Sequence, residues 1–248
     1  MAKLPKLIEA LAAVDERPRA TLEYIARIIR EGGELPTTKR GSGASDMTLR
    51  EAANLLIGVS VAEAAPKDAA ALVGQYRTLS VQAYSQPVEE SLIKTLANHI
   101  SASQNFGEAL ERLIEASPVV LAIFKVFVDA AFCAPCTDEK RTYAHKGLLY
   151  GHHARVEVKF VRPIPYANVS VLQTLEGRDE LICEWRFRMD ERLIKRGFYN
   201  YAEGDAISSR TIGLRTLLKL FIATASVESL DAAEAEYGLA LSELTLAA

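Results

Sequence analysis

The hydrophobic period of this chain changes once, and the change limits its fold more than any other feature. Up to about residue 130 apolar residues recur every three or four positions; beyond residue 150 they alternate. A period near 3.6 belongs to a helix with one buried face, and a period of two to a strand with one wet face. In the first stretch Leu4, Leu7, Ile8, Leu11 and Val14 share a helical face, as do Leu22, Ile25, Ala26 and Ile29. Gly32 and Gly33 end the second helix, because glycine enters the left-handed region without strain. Thr48 and Glu51 have capping-box spacing, and from Leu49 to Val61 nearly every residue is apolar, with Arg50, Glu51 and Asn54 clustered near the N-terminal end. Pro66 and Pro87 each open a further helix, and another is predicted over Ser103–Ala116, carrying Phe106, Leu110, Leu113 and Ile114. The apolar run over 119–129 fits a buried helix or a strand equally well.

In the second stretch Val156, Val158 and Phe160 alternate with Arg155, Glu157 and Lys159. Leu181, Cys183, Trp185, Phe187 and Met189 alternate with Ile182, Glu184, Arg186 and Arg188. Such patterns, with Val169 and Val171 alternating with Asn168 and Ser170 between them, describe antiparallel strands, and Pro163 and Pro165 belong to a turn or an edge bridging the first two of the three. Leu214, Leu217, Leu218, Phe221 and Ile222 then return to helical spacing. The fold class is therefore α+β: a helical part over 1–135, then a small antiparallel sheet packed with a C-terminal helix over 150–248.

Composition narrows the functional classes. No apolar run reaches the roughly 18 residues needed to cross a bilayer, and the first residues show no signal-peptide pattern. With three cysteines in 248 residues the chain has no disulfide framework, so a cytoplasmic location is expected and no membrane partner. The net charge is −3, yet residues 140–220 hold 15 basic and 9 acidic groups, a local excess of +6. That asymmetry is what a surface facing a polyanion would show.

The segment between the second and third helices, "REGGELPTTKRGSGASDMTLREAANLLIG", concentrates the chemistry of an anion site. A helix N-terminus offers unpaired amides and the positive end of a dipole. Gly41 and Gly43 allow close backbone approach around Ser42, and Lys39 and Arg40 add charge. Thr48 and Arg50 stand at the helix mouth, and Arg27 and Arg30 on the preceding helix. Neither the phosphate-loop pattern nor the dinucleotide fingerprint is present. A loop of about 15 residues is also much longer than the 3–4 of a helix-turn-helix. Contacts from these nine residues would be mainly to nucleic-acid phosphates, which position a protein without reading sequence.

The same block resembles uncharacterised prophage-associated bacterial proteins. In those a helix ending in Arg-Glu-x-Gly leads into a Gly-Arg-Gly-rich loop and a helix reading Asp-Ala-Ala-Asn-Leu-Leu-Ile. The matching residues here are Arg30-Glu31, Lys39 to Ala44, and Glu51 to Ile57; Lys39 and Glu51 replace the glycine and aspartate of that pattern. The resemblance implies a phage-type regulator or DNA-handling factor and brings no named activity.

Other motifs carry less. Cys133 and Cys136 form a Cys-x-x-Cys pair that could contribute two ligands to a zinc module with His145, His152, His153 or Cys183, but the spacing matches no standard finger. The following residues offer no apolar stripe for the helix a redox motif needs. Arg186, Arg188, Arg192, Lys195 and Arg196 interleave with Trp185, Phe187, Phe198, Tyr199 and Tyr201, a composition suited to single-stranded nucleic acid. Alternation, however, turns Trp185 and Phe187 away from the arginines and into the core. No nucleophile elbow or acid–base pair stands out, so the expectation is a non-enzymatic nucleic-acid-binding protein without cofactor or metal. A homo-oligomeric assembly or adaptor protein is the alternative, and a zinc-stabilised module a second one.

Overall fold

The computed structural model describes residues 3–37, 45–63, 65–85, 92–132, 137–175, 177–189 and 208–237. The first half contains α1 (Leu4–Ala12), α2 (Arg19–Glu31), α3 (Leu49–Val61) and α4 (Ala69–Arg77), and then β1 (Ser80–Ser85). Next come α5 (Leu92–Ser101), α6 (Phe106–Glu115), α7 (Ser117–Phe132) and α8 (Asp138–Leu148). Strands β2 (Ala154–Arg162), β3 (Tyr166–Leu175), β4 (Arg178–Arg188) and β5 (Ser208–Gly213) precede α9 (Leu214–Thr224) and α10 (Val227–Tyr237). None of the described helices is long and apolar enough to cross a membrane.

The five strands form one antiparallel sheet in the order β1-β4-β3-β2-β5. Register builds its two faces. One row across the sheet reads Ile212, Val158, Val169, Trp185 and Tyr84, all but the last buried. A wet-face row reads Thr211, Lys159, Asn168, Arg186 and Ala83, polar except at the β1 edge. The dry face carries α9 at β2 and β5, and helices of the first half pack on it too. Phe106 of α6 meets Phe160 edge-on at 5.6 Å and Phe187 at 5.2 Å between ring centres. The Tyr76 hydroxyl of α4 donates to the Val161 carbonyl, so the helices and the sheet share one continuous core.

The structure departs from the sequence expectation at residues 80–85, at β5 and after the Cys-x-x-Cys pair, and it resolves the open choice at 119–129. Residues 80–85, inside the stretch expected to be helical, form the edge strand β1. Its alternation is broken by a bulge between Val81 and Ala83, which hides the period of two. Strand β5 was not predicted, because its only buried residue is Ile212. The ambiguous run at 119–129 lies within α7, which at 16 residues is longer than a buried strand. Residues after the Cys-x-x-Cys pair, which lack an apolar stripe, nonetheless form α8; Thr137 caps it, Asp138 and Glu139 occupy its first turn and His145 and Lys146 its last.

Two adjacent glycines end α2 for different reasons. Gly33 has φ +85°, and a Cβ there would meet nothing within 4 Å, so its requirement is conformational. Gly32 has φ −81°, which any residue adopts, but a Cβ would lie 2.2 Å from the Cβ of Ala70 at the start of α4. Gly32→Ala is therefore expected to cost about 1–3 kcal/mol by overpacking. Ala70→Gly should relieve that clash in the double variant, leaving only the smaller penalty of a glycine in the first turn of α4. Denaturant titration of the three variants measures this.

Candidate functional site

The segment joining α2 to α3 begins and ends on buried anchors. Leu35 is 2% exposed and Met47 3%. The carbonyl of Glu34 accepts a 2.7 Å hydrogen bond from Asn54 Nδ2, one and a half turns into α3. Asn54 Oδ1 in turn accepts from Arg77 Nη1 at 2.6 Å, and Arg77 Nη2 binds Glu111 Oε1 at 2.5 Å. Thus the polar residue that interrupts the apolar run of α3 is itself buried, 1% exposed, and ties the base of the connecting segment to α4 and α6. Close passage of Arg77 also explains Gly107, where a Cβ would stand 2.8 Å from the guanidinium carbon.

At the mouth of α3 the capping box forms as its spacing predicts. Thr48 Oγ1 accepts from the Arg50 amide at 3.2 Å, and Glu51 Oε2 accepts from the Thr48 amide at 2.8 Å. The positive end of this helix is therefore met by the chain's own hydroxyl and carboxylate. A phosphate here would be held by side-chain cations more than by amides. Arg50 is exposed and Arg30 half-buried, and neither forms an ion pair among the described residues. Arg27 is exposed, lies 5.0 Å over the ring of Tyr24 and sits 3.7 Å from Glu31. Lys39, Arg40, Gly41, Ser42 and Gly43 lie outside the described residues.

The structure does not gather all the described cations at one point. Ile29 of α2 packs beside Gly58, so Arg30 sits far along α3 from its mouth. Eight residues separate Gly58 from Arg50, roughly 12 Å of helical rise. Arg27 and Arg30 flank the segment at its distal side, and Arg50 stands at its return.

The sheet divides its basic and aromatic residues as alternation requires. Trp185 and Phe187 are fully buried; Trp185 stacks on Tyr84 at 5.3 Å and donates to Ser101 Oγ at 3.0 Å. Lys159, Arg186 and Arg188 are exposed on the other side. Arg186 pairs with Glu184 at 2.5 Å, and Arg188 lies 5.2 Å over the ring of Tyr166. Arg192, Lys195, Arg196, Phe198, Tyr199 and Tyr201 lie outside the described residues.

Cys133 and Cys136 lie outside them as well. Cys183 is buried on the dry face, and burial pushes its thiol up to about 12, far from the thiolate a metal needs. His145 Nε2 is 3.0 Å from Asp129 Oδ1, and His152 packs against Gly147. Among the described residues no group of three His, Cys, Asp or Glu side chains is placed to hold a metal ion. The buried Asn54 junction was missed by sequence reasoning, although a lone Asn within an apolar helical run was its signal. Comparison of the chain with family models, curated proteins and solved structures returned no match.

Proposed function

We propose that this chain is a non-catalytic nucleic-acid-binding protein, of a phage-type regulatory or DNA-handling kind, that contacts phosphates through the basic segment between α2 and α3. The observation that carries the reading is the anchoring of that segment. Leu35, Met47 and the Asn54–Glu34 hydrogen bond fix its ends, while at its borders Arg30 and Arg50 form no ion pair among the described residues. Lys39 and Arg40 add two cations between those borders.

Titrating labelled duplex and single-stranded DNA with the protein at two salt concentrations tests this. Phosphate-mediated binding weakens steeply with salt, with a log–log slope of about −0.9 per neutralised phosphate on duplex DNA. Four contacting cations predict a slope of roughly −3 to −4 and little dependence on base sequence. Absence of binding to either form at low salt would overturn the reading.

A further inference from the structure

A second site lies at the other end of α3, where α1, β5 and α9 meet it. A cavity of about 220 Å³ opens there, walled by Leu11, Val14, Leu56, Val59 and Ile212 with Asp15, Ser60, Arg210 and the start of α9. That is roughly seven water volumes at ~30 Å³ each, enough for a small organic ion.

The polar groups around this cavity are unbalanced in one direction. Asp15 is saturated as an acceptor: Oδ1 receives the Arg17 amide at 3.0 Å and Nε at 2.9 Å, and Oδ2 receives Arg17 Nη2 at 2.8 Å and Arg210 Nη2 at 2.5 Å. Four hydrogen bonds fill the lone-pair sites of a carboxylate. Donors, by contrast, remain. Ser60 is 5% exposed, lines the cavity and has no partner for its Oγ among the described residues; Arg17, outside the cavity wall, likewise has its buried Nη1 unpartnered among them. The eleven-residue helix α9 starts in the cavity wall at Gly213, which has no side chain to cap its first amides. Arg17 is shared between Asp15 and the nearby Glu63, so the cation in the cavity wall is Arg210.

We infer that this cavity binds a small carboxylate with a short aliphatic body, its oxygens taken by Ser60 Oγ, Arg210 and the N-terminal amides of α9, its carbons by Leu11, Val14, Leu56 and Val59. An acceptor-bearing ligand supplies what the cavity lacks, and the apolar walls separate a carboxylate from an inorganic oxyanion. The site is independent of the proposed nucleic-acid segment.

Calorimetric titration of the full chain with sodium acetate, butyrate and phosphate, against chloride at matched ionic strength, tests the assignment. Saturable binding is expected for the carboxylates, with butyrate about tenfold tighter than acetate through its two extra methylenes. Ser60→Ala should raise the melting temperature of the free protein, since it removes an unpaired buried hydroxyl, and weaken butyrate about tenfold. Arg210→Gln, which keeps a donor to Asp15 but removes the charge, should weaken it as well. No saturable binding, phosphate binding as tight as butyrate, or butyrate binding undiminished in Ser60→Ala would each overturn the inference.

Discussion

Arg77→Met is expected to destabilise the protein by about 3 kcal/mol, because a buried ion pair loses one partner and strands the other. The Arg77 side chain is 11% exposed and that of Glu111 25%, so some of the stranded charge on Glu111 is relieved by water. The loss does not stop at the pair. Asn54 Oδ1, which accepts from Arg77, becomes an unmet buried acceptor, and Asn54 is also the residue that holds the Glu34 carbonyl. For a chain of this size about 3 kcal/mol corresponds to a fall of roughly 6–12 °C in melting temperature. Adding Glu111→Leu should recover part of it, since removing both charges avoids stranding either one. Simple additivity of the two substitutions in denaturant titration would show that the pair is not coupled.

Asp15→Ala is expected to cost about 3–5 kcal/mol, for it strands two guanidinium groups at once. The Asp15 side chain is 5% exposed and lies between Arg17, just before α2, and Arg210 on β5, 195 positions away. Arg210 belongs to the dry-face row of the sheet, opposite Phe160, and its guanidinium is accommodated there because β5 is the edge strand and Asp15 is within reach. Burial raises the Asp15 carboxyl, but the hydrogen bonds from Arg17 and the charge of Arg210 outweigh it, and the group stays below its ordinary 3.8. Asp179, hydrogen-bonded by Arg155 and Thr174, is held down to about 2. A folded-state value below the unfolded one adds stability at neutral pH that is fully present above the unfolded value and lost as pH falls through the folded one. Acid unfolding should therefore set in below pH 3.8 and progress toward about pH 2, and Asp15→Asn should flatten that dependence.

How far these features were legible in the sequence depended on whether a residue's neighbours were local. The capping box of Thr48 and Glu51, the glycine stop after α2 and the inward turn of Trp185 and Phe187 follow from spacing alone, and all three are present. The class of fold was legible for the same reason, since a helix face and a strand face each show in about ten residues. Strand β1 was not, because its place is set by pairing with β4 a hundred residues later and its own alternation is bulged. Asn54 reads as a polar residue near a helix mouth; only the approach of Arg77 from α4 and Glu34 from the preceding turn makes it a buried junction. The donor-rich cavity draws on α1, α3, β5 and α9, and no window of sequence contains them together. In the α2–α3 segment, clustering of basic residues was legible, whereas the 12 Å or so of helical rise between the levels of Arg30 and Arg50 was not.

The most direct test of the proposed function compares the salt dependence of DNA binding before and after Lys39→Ala/Arg40→Ala. Both substitutions leave the core anchors Leu35 and Met47 on either side of them in the sequence intact, and the expected melting temperature is that of the parent. If the segment holds phosphates, the double variant binds more weakly at every salt concentration and its log–log slope falls by about 2, close to one per cation removed. An unchanged slope and affinity would contradict the account and leave the segment as a connector between two helices.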